Sequence, residues 1–136
     1  MTLTDAGPLV ALIDAGEEDH ARCVDVLADL PLPLVTTWPA FTEAIYLLGR
    51  AAGWHGQEPL WRLVKRGDLE IAHSTEESTL RAARLMERYA DRPMDLADAT
   101  LVALAEERKL KKIFTLDSDF HVYRLHGRGR FEVVPA

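Results

Sequence analysis

Residues 93–115 read PMDLADATLVALAEERKLKKIFT. The segment holds a helical pattern, a basic break, and a short apolar run rich in β-formers. Asp98, Leu101, Val102 and Ala105 fall at i, i+3, i+4 and i+7, so they share one face of a helix. The opposite face, through Ala103, Glu106, Glu107 and Leu110, carries the charges. "KIFT" after the break reads as a strand. A helix feeding a short apolar strand is the repeating unit of a parallel sheet.

The same unit recurs upstream. "TLT" (residues 2–4) is a clipped first strand, followed by a helix through "GPLVALID" and an amphipathic helix in "EDHARCVDVLADL". "LPLVTT" is a second strand. "WPAFTEAIYLLGRAAG" is a helix with Pro39 in its first turn and Gly53 past its end, the usual asymmetry. A short helix in "QEPLWRLVKRG" precedes a third strand, "LEIAH". In "STEESTLRAARLMERYA", Ser74 with Glu77 has capping-box spacing. "FEVV" closes the chain as a fifth strand. Strands alternating with helices predict an α/β fold of three α/β/α layers, with a mainly parallel, roughly five-stranded sheet.

The 136 residues suit a single domain spanning 1–136, and the composition, 48% hydrophobic and 28% charged, is that of a globular chain. No run is long and apolar enough to span a bilayer, and Asp5 and Asp14 interrupt the first apolar segment where a signal peptide would need none. The single cysteine, Cys23, reads as a small core residue. A cytoplasmic location is expected. The net charge of −6 argues against a generic polyanion binder, unless acids cluster around metal.

The acids do fall in a pattern. In an open parallel sheet, ligands bind beyond the carboxyl ends of the strands. Asp5 directly follows the first strand, and Asp117 and Asp119 follow "KIFT". Glu43 and Asp98 lie in the first turns of helices. Asp95, one turn before Asp98, sits where an N-cap belongs. Carboxylates gathered in a partly buried site cannot all stay ionised without compensating charge. Oxygen donors alone suit Mg²⁺ or Mn²⁺. The five histidines are scattered without zinc-ligand spacing.

These residues resemble the PIN-domain family, and within it the VapC-like ribonuclease toxins of toxin–antitoxin modules. The resemblance rests on "TDAGPLVALID" (Asp5), "FTEAIYLL" (Glu43), "LADATLVALAEE" (Asp98) and "IFTLDSDFHVYR" (Thr115, Asp117, Asp119, Phe120). Gly7 stands where a hydroxyl residue is common. The resemblance implies an acidic quartet of Asp5, Glu43, Asp98 and Asp117 around one or two Mg²⁺ or Mn²⁺ ions, supported by Asp95, Thr115 and Asp119. It implies hydrolysis of RNA to 5′-phosphate and 3′-hydroxyl ends, a VapB-like antitoxin as partner, and a homodimer. The alternative is a degenerate module that binds protein or RNA without cleavage. A receiver domain would need an Asp after the third strand, and a dehalogenase-type phosphatase a second Asp after the first. "LEIAHST" and "TDAG" lack them.

Arg124, Arg128 and Arg130 are candidates for phosphate contact or for solvated surface. Trp38, opening a helix, is expected in the core. Trp54 and Trp61, read as flanking a turn, could present an apolar hairpin to a partner helix.

Overall fold

Alternation along each short strand sets the layers. In β1 (Thr2–Thr4), β2 (Leu34–Thr37), β3 (Leu69–Ala72) and β4 (Lys112–Phe114), successive residues point to opposite faces of the sheet. Leu3, Val35, Ala72 and Ile113 enter one apolar core, and Leu34, Leu69 and Phe114 enter the other. Both faces are therefore covered, as parallel sheets require. The computed structural model describes residues 1–136.

On one face lie α1 (Ala6–Ile13), α2 (His20–Leu27), α3 (Trp38–Ala52) and α4 (Trp54–Lys65). Cys23 is fully buried among them, as its context predicts. The other face carries α5 (Glu76–Arg88) and α6 (Leu96–Arg108). With β7 (Glu132–Val134), the sheet runs β3-β2-β1-β4-β7, parallel throughout. The predicted five strands and three layers are present. The chain steps outward from β1 to β2 and β3, then crosses back to β4 on the other side of β1. The crevice between β1 and β4 is the switch point at which such sheets bind ligands.

Several expectations are corrected. The α5 cap is Thr75, not Ser74: its hydroxyl accepts the Ser78 N–H at 3.0 Å, and Ser78 Oγ accepts the Thr75 N–H at 2.9 Å. Glu77 takes no part in that box, because Thr75, one residue later than expected, holds the extended conformation a cap needs. Helix α4 starts at Trp54, so the supposed turn is its first turn. Gly53 breaks the chain at φ +59, and Gly56 lies so close to α3 that a Cβ would meet the Leu48 carbonyl. Ala103, placed on the charged face of α6, is buried. The helix is sandwiched between sheet and α5, and its exposed residues are Leu96 at its start and Glu107 in its last turn.

The sequence reading also passed over a hairpin, β5 (Arg124–Leu125) with β6 (Gly129–Arg130). Glu106 ties it to the helical layer. Its carboxylate accepts Arg81 Nε at 2.7 Å and Nη2 at 3.0 Å, and also the His126 N–H at 2.6 Å. Burial would raise the Glu106 pKa, but the Arg81 fork and the His126 amide outweigh it and hold the group below its ordinary value. This stabilisation is present above the unfolded-state pKa and is lost as pH falls through the lower folded one. Glu106→Ala is expected to cost about 1–3 kcal/mol at pH 7, by stranding a guanidinium and an amide. Urea melts at pH 7 and pH 3 check this: the deficit relative to wild type shrinks at the lower pH.

Candidate functional site

Asp5 and Asp117 come from the ends of strands, and Asp98 and Glu43 from the early turns of helices. Asp5 is the residue after β1 and the N-cap of α1. Its N–H bonds the Phe114 carbonyl of β4 at 2.9 Å, which stitches it to the neighbouring strand. Asp117 follows β4 and caps the 3₁₀ turn Ser118–His121, its Oδ1 accepting the Asp119 N–H at 2.9 Å. Asp98 stands in the first turn of α6, and Glu43 in α3.

Carboxylate oxygens of Asp5, Asp98 and Asp117 lie within 4.8 Å of one another. Asp5 and Asp98 are buried, at 7% and 6% exposure, and Asp117 is half-buried. Glu43 lines the same cleft, of about 210 Å³, but from an exposed position outside that tight group. Asp95 also lines the cleft and acts as the N-cap of α6, its Oδ1 accepting the Asp98 N–H at 2.7 Å. Five carboxylates thus face one space, and no lysine, arginine or histidine lines it.

Hydrogen bonds fix the triad from behind. Thr115 Oγ1 donates to Asp5 Oδ2 at 2.8 Å and accepts the Asp117 N–H at 3.0 Å, so one hydroxyl links two acids. Asp5 Oδ1 accepts the Ala6 N–H at 2.7 Å. Asp119 turns away to pair with Arg92 at 2.9 Å, closing the rim rather than facing the triad. The sequence reading missed Tyr123. Fully buried, it donates its hydroxyl to Asp98 Oδ2 at 2.9 Å, with its ring packed edge-on against Tyr89 and Phe120. Its contact with Asp98 spans 25 residues, and no local periodicity signals a contact of that range.

The electrostatics follow from this crowding. Burial pushes Asp5 above the ordinary carboxylate range, and the charges of Asp117 and Asp95 add to it, against the hydrogen bonds from Thr115 and Ala6. Burial, then the charge of Asp95, pushes Asp98 up to about 8. The Tyr123 bond opposes that rise, and Asp5 and Asp117 reinforce it. Burial and then Asp5, Asp95 and Asp117 raise Glu43. Burial, followed by the bond to Asp98, raises the Tyr123 phenol, so it remains a donor. Three oxygen donors with no thiolate or imidazole, crowded past the point where all ionise, form a site that fits a hard divalent cation.

The arginine candidates lie elsewhere. Arg124 Nη1 donates to the carbonyls of His121, Val122 and Tyr123 at 2.7–3.1 Å, a cap on the turn after Asp117. Arg128 and Arg130 are exposed at the hairpin. Trp38, expected in the core, is 43% exposed, because α3 begins at the carboxyl edge of the sheet. Trp61 packs on Phe41, whereas Trp54 is exposed.

Comparisons with known proteins agree with this architecture. A family model described as the PIN domain matches residues 2–125. Ribonuclease VapC26 of Mycobacterium tuberculosis is 34% identical over 137 aligned positions, covering 98% of this chain and 99% of that one. The crystal structure of M. tuberculosis VapC20, described as a sarcin-ricin loop cleaving toxin, superposes with a TM-score of 0.82 at 20% identity. It covers 90% of this chain and 94% of the other. A toxin–antitoxin complex from Klebsiella pneumoniae gives 0.68 at 19% identity, over 88% and 90%. No helix is long and apolar enough to cross a membrane.

The raised Asp98 pKa fixes the sign of a pH effect. A carboxyl with a folded pKa above its unfolded one favours the fold fully only below the unfolded value, near 4, and loses that contribution as pH climbs to about 8. Asparagine carries no such charge. In chelator, Asp98→Asn is therefore expected to be more stable than wild type by about 1–2 kcal/mol at pH 8, with the gap closing toward pH 4. Thermal melts across that range measure it.

Proposed function

The chain belongs to the PIN domain family, and from that premise we propose that it is a Mg²⁺- or Mn²⁺-dependent endoribonuclease, the toxin of a toxin–antitoxin module. The observation that carries the reading is the triad Asp5, Asp98 and Asp117, with oxygens inside 4.8 Å and no protein cation lining the cleft to offset them. Residues 1–136 act as one nuclease domain. Its relation to Ribonuclease VapC26 supports RNA as the substrate.

In this reading Asp5, Asp98 and Asp117 hold the ion. When bound, it supplies Lewis-acid activation of water and charge neutralisation at the phosphodiester. The chain's own groups do the positioning. Tyr123 pins Asp98 through Oδ2 and leaves Oδ1 free of hydrogen bonds within the chain. Thr115 sets Asp5 and Asp117 against each other through one hydroxyl. Asp95 fixes the start of α6, and so the level at which Asp98 enters the cleft. Glu43, on the outer wall of the same cleft, completes the acidic quartet, and Asp119 with Arg92 braces the rim. Hydrolysis leaves a 5′-phosphate and a 3′-hydroxyl, with no covalent enzyme intermediate.

The toxin–antitoxin complex among the structural neighbours supports a VapB-like antitoxin as the protein partner. A cytoplasmic homodimer completes the proposal, and Arg128 and Arg130 are free to meet phosphate.

Purified protein is expected to cleave RNA in Mg²⁺ or Mn²⁺, to lose the activity in chelator, and to slow by about 100-fold or more on Asp98→Asn. End-labelled RNA on denaturing gels, with phosphatase treatment to identify the 5′-phosphate, checks all three. Equal rates for wild type and variant would remove Asp98 from the site.

A further inference from the structure

Trp38 has an unusual position for a large aromatic residue. It immediately follows β2, and β2 pairs with β1 in the register Leu3↔Val35. Thr37 is therefore level with Asp5, two residues beyond that pair in each strand. Trp38 opens the next step, one strand spacing of about 4.8 Å to the side. Its indole is 43% exposed and lines a shallow groove of about 530 Å³ with Pro39, Thr42, Asp95, Leu96 and Ala97. Asp95 lines both this groove and the acidic cleft, so the two adjoin at that residue.

The ring is held rather than loose. Phe41, almost fully buried, meets it edge-on at 5.9 Å, and His73, which follows β3, lies tilted beside it at 6.4 Å. The Thr42 hydroxyl donates to the Trp38 carbonyl at 2.7 Å, so it is already committed within the turn. Neither the groove nor the cleft is lined by lysine or arginine. A strand of RNA crossing here meets no lining cation to grip its phosphates, and Arg92 at the rim is already paired with Asp119. What this wall offers is a neutral π-face beside a carboxylate, and the matching part of RNA is an uncharged base.

Accepting the ribonuclease reading, we propose that Trp38 is a substrate-binding residue: its indole stacks on an unpaired base of the RNA next to the scissile phosphate. The stacked base sets which phosphodiester lies over the triad. The substrate is accordingly single-stranded at the cut, since a paired base keeps its faces within the duplex. Protein is the less favoured occupant. The groove is shallow, and its lining includes Asp95, whose carboxylate an apolar partner surface would have to desolvate.

The test uses Trp38→Ala and Trp38→Phe, read against wild type. Binding is followed by anisotropy of labelled single-stranded RNA in an Asp98→Asn background, and cleavage is followed in the active protein. Trp38→Ala is expected to weaken binding by about 5- to 100-fold, and Trp38→Phe to restore most of it. The salt dependence of binding stays unchanged, because no phosphate contact is removed. The alanine defect also disappears on RNA made abasic at the position beside the cut, where there is nothing to stack. Melting curves and molar mass by light scattering accompany each variant. Unchanged binding and cleavage in a folded Trp38→Ala, with wild type active, would overturn the stacking role and leave the ribonuclease intact. Loss of dimer mass with RNA binding unaffected would overturn it too, in favour of a protein interface. Wild type that cleaves no RNA would instead sink the reading on which the proposal rests.

Discussion

The lateral pairing of β1 with β4 is the constraint on which the rest of the molecule depends. These strands are not neighbours in sequence; β2, β3 and six helices separate them in the chain. Their register, Leu3↔Ile113 and Thr4↔Phe114, brings Asp5 and Thr115 to the same level, and the hydroxyl of one then reaches the carboxylate of the other. Asp117 is placed two residues further by the same hydroxyl. Helix α6, which feeds β4, must begin beside this edge, and that is how Asp98 arrives. A slip of one residue would turn Asp5 into the opposite layer and disperse the cluster.

Holding acids this close runs against folding, and the structure shows how it is tolerated. The chain places no basic side chain in the cleft. It relies instead on directed hydrogen bonds from Thr115, Ala6 and Tyr123, and on protonation of Asp98 when no cation is present. Bonds of this kind fix oxygen positions without cancelling charge, so the negative potential is kept for a ligand. Large apolar layers on both faces of the sheet carry the stability that such a crowded acidic edge withdraws.

Much of this was legible before any coordinates. The alternation of short strands with helices gave the layers, and the acids stood out because they followed strands or led a buried helix face. Asp95 was identifiable as a cap by its place one turn before Asp98. What could not be read was tertiary. Tyr123 owes its role to a contact across 25 residues, and Trp38 looked like core until the start of α3 fell at an open sheet edge. The β5–β6 hairpin is only two residues per strand, too short for period-two alternation to show. The shift of the α5 cap from Ser74 to Thr75 reflects competition between adjacent hydroxyl residues, which backbone conformation decides.

The β1–β4 edge thus gathers carboxylates that no lining side-chain cation offsets, a site for a divalent ion. Mn²⁺ titration at pH 7, with free ion followed by electron paramagnetic resonance and proton release followed in weak buffer, tests it most directly. Saturable binding that expels about one proton per ion, as Asp98 ionises, and that is lost in Asp98→Asn, is the predicted result. Absence of saturable binding, or binding that Asp98→Asn leaves intact, would mean that these acids do not form a cation site.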